Sequence, residues 1–331
     1  MADRRVLVVV SPEIEAFGYD GVDSFASLQD AVPLNNQVRT INRIAPGVCT
    51  SYLFSPKASI MAIAPKTKTK SFITLRGLEI KDTGICWDNT ATRIKHTQSP
   101  GMIGTATYSG ATVIVEGDDF ITENVIFKNS APQVSGQEAA ACVTADRCAF
   151  YNCKIIQETL HLHGGKQFFK NCYIEGNYDF IFRDSTALLE HCHIHCKSTG
   201  YITAHGRKSS SESTGFVFFR CVITGNCEAA YMYLGRPWEP LWRVIFAETS
   251  MDYCIEPVVG WHNWDKPENE QTACFCEYRC SRPGSSMSER VAWCKELVGD
   301  ELVKTFVDPD VQNPWLLHRS GTKLPVSTAS L

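Results

Sequence analysis

Four acid and amide side chains are spaced as if they stack. Gln137 precedes Gln157 by 20 residues, and Glu158 precedes Asp179 by 21. In a chain wound into coils of about that length, residues one coil apart lie about 4.8 Å from each other. The two carboxylates and two amides would then share one small surface. Such a set suits ester cleavage. One carboxylate can attack an acyl carbon. A second, its pKa raised by the neighbouring charge, can protonate the leaving alcohol. Gln N–H groups can hold the oxyanion. The plainer reading is a polar ladder of structural value only. Arg236 and Trp238 lie in "YMYLGRPWEP" (231–240). There Gly235 would permit an unusual backbone angle and Pro237 fixes the next one. Arg236 could orient a carboxylate with two hydrogen bonds, and Trp238 could offer a face to a sugar.

The elements that would position these groups show as a repeat. "RCAFYNCKII", "QFFKNCYIEG", "ALLEHCHIHC" and "VFFRCVITGN" each run from an aromatic or aliphatic stretch through a polar residue to Cys, then into an alternating segment. The Cys residues are 153, 172, 192 and 221, with spacings of 19, 20 and 29. Units this short hold about three brief strands each. They predict an all-β fold, a parallel β-helix in which the Cys side chains stack inward, with an ordinary sandwich and accidental Cys spacing as the plainer alternative. Val6–Val10 reads as a first strand. Residues 19–31 are expected to form a short N-terminal capping helix, and residues 285–299 a C-terminal helix with Ser288 as its N-cap. The whole of 1–331 reads as one domain, with a solenoid core over about 19–280 and a helix and tail over 281–331.

Composition narrows the function classes. The 331 residues carry a formal charge of −4, which argues against a dedicated nucleic-acid binder. The 15 cysteines contain no CxxC pair, and Cys274, Cys276 and Cys280 lack a nearby second ligand pair for zinc. His191, His193 and His195 alternate on one side of a strand and are expected to face solvent. His161 and His163 are expected at a cleft edge. The run Val6–Val10 is shorter than the ~7–15 residues of a signal core, so these signals alone read as cytoplasmic.

"QETL", "YDFIFR" and "LGRPW", with "VEGDDFITENVIFKNSAP" and "TADRCAFYNC", resemble the plant pectin methylesterases, in the branch without an inhibitor-like pro-region. The likeness runs from about residue 19 to about 280. It implies a single-stranded right-handed parallel β-helix and a plant cell-wall hydrolase that removes methyl esters from polygalacturonate (pectin), giving methanol and free galacturonate, with no metal or organic cofactor. It implies Asp179 as nucleophile, Glu158 as general acid/base, Gln157 and Gln137 as oxyanion donors, and Arg236 as the holder of the nucleophile. Trp238 and Thr107 would touch substrate. The implied partners are methyl-esterified homogalacturonan and a proteinaceous pectinesterase inhibitor, with the enzyme a monomer and no nucleic acid or membrane involved. The implied location is the cell wall.

The chain departs from the family pattern in several places. The family acid is Asp, where this chain has Glu158, whose extra methylene reaches ~1–1.5 Å further. The segment Cys153–Gln157 is two residues shorter. Arg183 replaces a Gly, Glu138 follows Gln137, and Cys49 and Ser51 replace an aromatic and an acid. Residues 52–68 are longer. Two other readings therefore stand beside an active esterase. One is a catalytically impaired pectin-binding β-helix. The other is a calcium-dependent lyase or a glycosidase on the same scaffold.

Overall fold

The computed structural model describes residues 5–9, 23–25, 40–44, 47–49, 61–62, 73–77, 80, 83–87, 111–131, 139–157, 159–226, 232–256, 258–288 and 290–296. Residues 1–296 form one compact unit. Among the described residues its strands all pair in parallel, in one sheet and one branched network. One sheet has 12 strands, starting with Asp23–Phe25 and Arg5–Val9 and ending with Cys274–Tyr278 and Cys294–Glu296. A second network has 13 strands and two limbs. The limbs merge where the long strands Tyr173–Arg183 and His193–His205 run through the corner between them. Three short strands and three corners per coil make the expected right-handed parallel β-helix.

The rungs reproduce the sequence period. Cys148 lies opposite Gln167, Ala187 opposite Gln167, and Phe216 opposite Ala187, giving offsets of 19, 20 and 29 residues. These equal the Cys spacings. The polar residue before each Cys explains the repeat. Asn152, Asn171, His191 and Arg220 all take φ between 50° and 54°, a left-handed corner that turns the chain from one sheet to the next. The following Cys153, Cys172, Cys192 and Cys221 then point inward and are almost fully buried. Neighbouring coils also stack aromatic rings, as in Phe150 on Phe169 at 4.6 Å and Phe218 on Phe246 at 4.4 Å. Each such pair stabilises by about 0.5–1.5 kcal/mol beyond its buried area.

Both expected end helices are overturned at the described residues. Within 19–31, Asp23–Phe25 is a strand beside Arg5–Val9. Within 285–299, Cys294–Glu296 is a strand on Cys274–Tyr278, preceded by a 3-10 turn at Pro283–Ser285. An open sheet edge presents a row of unpaired N–H and C=O groups, and an added strand satisfies them. That gain outweighs the modest helix preference of Asp, Ser and Phe. The same end of the coil holds a buried ion pair. Glu277 and Arg290 are each 2 % exposed at the side chain and joined at 2.8 Å, with the Trp261 indole N–H donating to the same carboxylate at 3.1 Å.

Candidate active site

Asp179 sits in the long strand Tyr173–Arg183 at φ 49°, a left-handed kink that turns its carboxylate outward while Phe180 packs inside. Arg236 follows the strand Met232–Gly235, two coils along, with the strand His193–His205 between. Its Nε donates to Asp179 Oδ1 at 2.9 Å and a terminal nitrogen donates to Oδ2 at 2.6 Å. The arginine side chain is clamped between two rings, with its guanidinium carbon 3.9 Å from the centre of Tyr201 and 3.7 Å from that of Trp264. Its own backbone N–H donates to the Thr203 carbonyl at 3.0 Å.

The role expected of Gly235 changes. It does not take a positive φ. It is glycine for space: a Cβ there would lie 2.1 Å from Thr203 Oγ1. The bare backbone lets the Arg236 segment lie close against the strand His193–His205.

Burial pushes the Asp179 carboxyl above the ordinary carboxylate range, and the Arg236 hydrogen bonds and charge oppose that rise. The result is a desolvated carboxylate held in one orientation, as a nucleophile requires.

Gln157 stands at the bend between Lys154–Ile156 and Thr159–Leu162, at φ 61°. Its backbone N–H donates to Glu175 Oε1 at 3.4 Å, which ties it to the coil that carries Asp179. Its side-chain Oε1 is buried with no hydrogen-bond partner among the described residues. The pairing offset to the next coil is 19 residues before this bend (Lys154 opposite Tyr173) and 21 after it (Leu160 opposite Ile181). The Gln157 coil therefore turns this corner with two residues fewer than its neighbour, and the tight left-handed bend accommodates the difference. The offset of 21 is also the sequence separation of Glu158 from Asp179. Glu158, Gln137 and Thr107 themselves lie outside the described residues.

Trp238 rests on Phe182 with centroids 5.9 Å apart and planes at 28°. Phe182 in turn stacks on His161 at 4.8 Å. Arg183 donates from Nε to His161 Nε2 at 3.0 Å, and its guanidinium carbon lies 5.1 Å from the centre of the Trp238 ring. Burial, reinforced by the Arg183 charge, lowers the His161 pKa to about 3, so the imidazole is neutral. With Nε2 accepting, Nδ1 carries the proton and points at the buried Cys142 sulfur 3.2 Å away. Arg183 has φ 93°, a conformation that favours glycine and costs a side-chain-bearing residue on the order of 1–3 kcal/mol.

Sequence reasoning missed three parts of this surface. One is the ring clamp of Tyr201 and Trp264. Another is the buried His161. The third is a run of tyrosines on successive coils, Tyr178, Tyr201 and Tyr233, with centroids 6.1 and 5.4 Å apart. The irregular offsets of these coils hid the tyrosine alignment. Of the other histidines, His163 is paired with Asp184 at 2.6 Å. His193 and His195 share a hydrogen bond to Thr224 Oγ1, so each has an ordinary partner at the surface.

The pectinesterase family model matches residues 83–308. Pectinesterase 31 of Arabidopsis thaliana is 55 % identical over 93 % of this chain and 96 % of its own length. Pectinesterase QRT1 of the same plant is 33 % identical over 92 % of this chain and 76 % of its own. Among solved structures, the pectin methylesterase from carrot superposes with a TM-score of 0.74 at 27 % identity, covering 90 % of both chains. A pectin methylesterase from Aspergillus niger gives a TM-score of 0.71 at 25 % identity, covering 92 % of this chain and 95 % of its own. With its coils, its kinked Asp179 and its clamped Arg236 in place, this chain belongs to the pectinesterase family.

Proposed function

We propose that the chain hydrolyses the methyl esters of pectin, releasing methanol and leaving free galacturonate. The observation that carries this reading is the outward Asp179 carboxylate, desolvated and fixed by both donors of Arg236. Asp179 attacks the ester carbonyl carbon, and the oxyanion of the tetrahedral intermediate is held by the side-chain N–H groups of Gln157 and Gln137. Gln157 stands at a bend of the coil next to the one that carries Asp179, and its backbone N–H reaches Glu175 on that coil, which supports that role.

Glu158 gives its proton to the departing methoxide, and an acyl-enzyme anhydride remains on Asp179. Glu158, now a carboxylate, takes a proton from water, which cleaves the anhydride and restores both acids. Trp238, backed by Phe182, supplies a flat apolar face for a sugar ring, and Thr107 is assigned to substrate contact. The family's wall substrate supports action outside the cell. Monomeric behaviour and capture by a proteinaceous inhibitor belong to the same reading. Hydrolysis is favoured over simple pectin binding because the nucleophile and its partner are intact.

The test is methanol release from esterified pectin between pH 5 and 9 by the purified chain and by Asp179→Asn. The parent should release methanol, and the variant should bind pectin without releasing it. No release by the parent anywhere in that range overturns the proposal.

A further inference from the structure

The Arg183 guanidinium has a position that the mechanism above does not use. Its residue keeps a φ of 93°, where glycine would be unstrained. The strain is offset by specific contacts. Nε–H is spent on the neutral His161 ring at 3.0 Å, and that ring is itself locked between Phe182 and Cys142. The guanidinium is therefore held in one place, 5.1 Å from the centre of Trp238. The adjacent acid, Asp184, feels the Arg183 charge but makes its hydrogen bond to His163, at 2.6 Å. Among the described residues, the two terminal nitrogens of Arg183 have no hydrogen bond or ion pair. Arg236 offers the contrast, with its Nε and one terminal nitrogen both donating to a carboxylate of the protein itself.

A rigid, half-buried cation with a free planar fork, beside an aromatic sugar platform, is a receptor for a carboxylate. The geometry points to Arg183 as a specificity-determining residue that binds the free carboxylate of a galacturonate unit lying against Trp238, next to the unit being de-esterified. This rests on the proposed pectin substrate. Each turnover converts a neutral ester into that same anion, so a carboxylate subsite favours substrate that already carries free acid.

The experiment compares the parent chain with Arg183→Gly and Arg183→Lys. Glycine removes the cation and accepts the backbone angle. Lysine keeps the charge without the fork. Binding of fully de-esterified oligogalacturonate is followed by tryptophan fluorescence at low and high salt. Methanol release is compared on half-esterified and fully esterified pectin.

Arg183→Gly should weaken oligogalacturonate binding about tenfold, the scale of one charge-assisted contact. It should lower the ratio of kcat/KM on half-esterified to fully esterified pectin by a similar factor. Arg183→Lys should fall between, and binding to the parent should weaken with salt. Equal binding by the parent and Arg183→Gly, or an unchanged ratio, overturns the assignment. If the parent releases no methanol at all, the esterase reading fails, and the binding comparison still judges the carboxylate subsite by itself.

Discussion

Replacing Arg236 with Ala should cripple the site in a way that only its pairing with Asp179 explains. The two side chains are 19 % and 17 % exposed, so the pair is largely out of water. Removing one partner of such a pair leaves the other charge desolvated and uncompensated, at a cost of about 3–5 kcal/mol. If that cost falls on presenting an ionised Asp179 to the ester, kcat/KM drops on the order of 10²–10⁴-fold.

The pH profile gives the sharper readout. Burial already raises the Asp179 pKa, and Arg236 is the group that opposes it. Attack needs the carboxylate, so activity is present above this pKa and lost as pH falls through it. Without Arg236 the pKa rises further, and the acid limb of the profile moves to higher pH. Arg236→Lys restores charge but not the two-point geometry, so its limb should lie between those of the parent and Arg236→Ala. The assay is initial methanol release across pH on folded protein, with circular dichroism confirming the fold. A large loss of activity with an unmoved acid limb would refute the argument, because Arg236 would then act on something other than the ionisation of Asp179.

Two further outcomes follow from the rest of the coil. Arg290→Ala strands Glu277 beside Trp261 at the C-terminal end, and it should cost about 3–5 kcal/mol, read as a lower denaturant midpoint. Among the described cysteines, alkylation at pH 7 should label Cys274 first, because hydrogen bonding from Cys276, with Arg243 and Lys295 nearby, lowers its pKa to about 6. Cys153, Cys172 and Cys192, whose thiols burial pushes well up, should stay unlabelled until the chain unfolds. Peptide mapping after brief iodoacetamide treatment checks both.

The coil period was legible because the corner residues and the inward Cys recur at every turn, and parallel rungs cannot slip without moving that inward set. The site was legible in part for the same reason. The 21-residue offset between Leu160 and Ile181 is the spacing that pairs Glu158 with Asp179 in the sequence. The end helices were misread because local propensity ignores the bare sheet edge beside them. The ring clamp around Arg236 was hidden because Trp264 lies outside the repeat and reaches the arginine across the fold.

Residue order by itself determined the stacking register and the inward thiol ladder. Both are consequences of a repeat in which each coil templates the next, whereas the acid and its arginine were singled out by the family motifs. Tertiary structure alone decided that Gly235 serves close approach to Thr203 rather than an unusual angle. It also decided that Arg183 is anchored to a neutral histidine and that Arg236 lies between two rings. Those outcomes depend on distances between side chains far apart in sequence, and one-dimensional spacing carries no information about which face or depth such groups occupy.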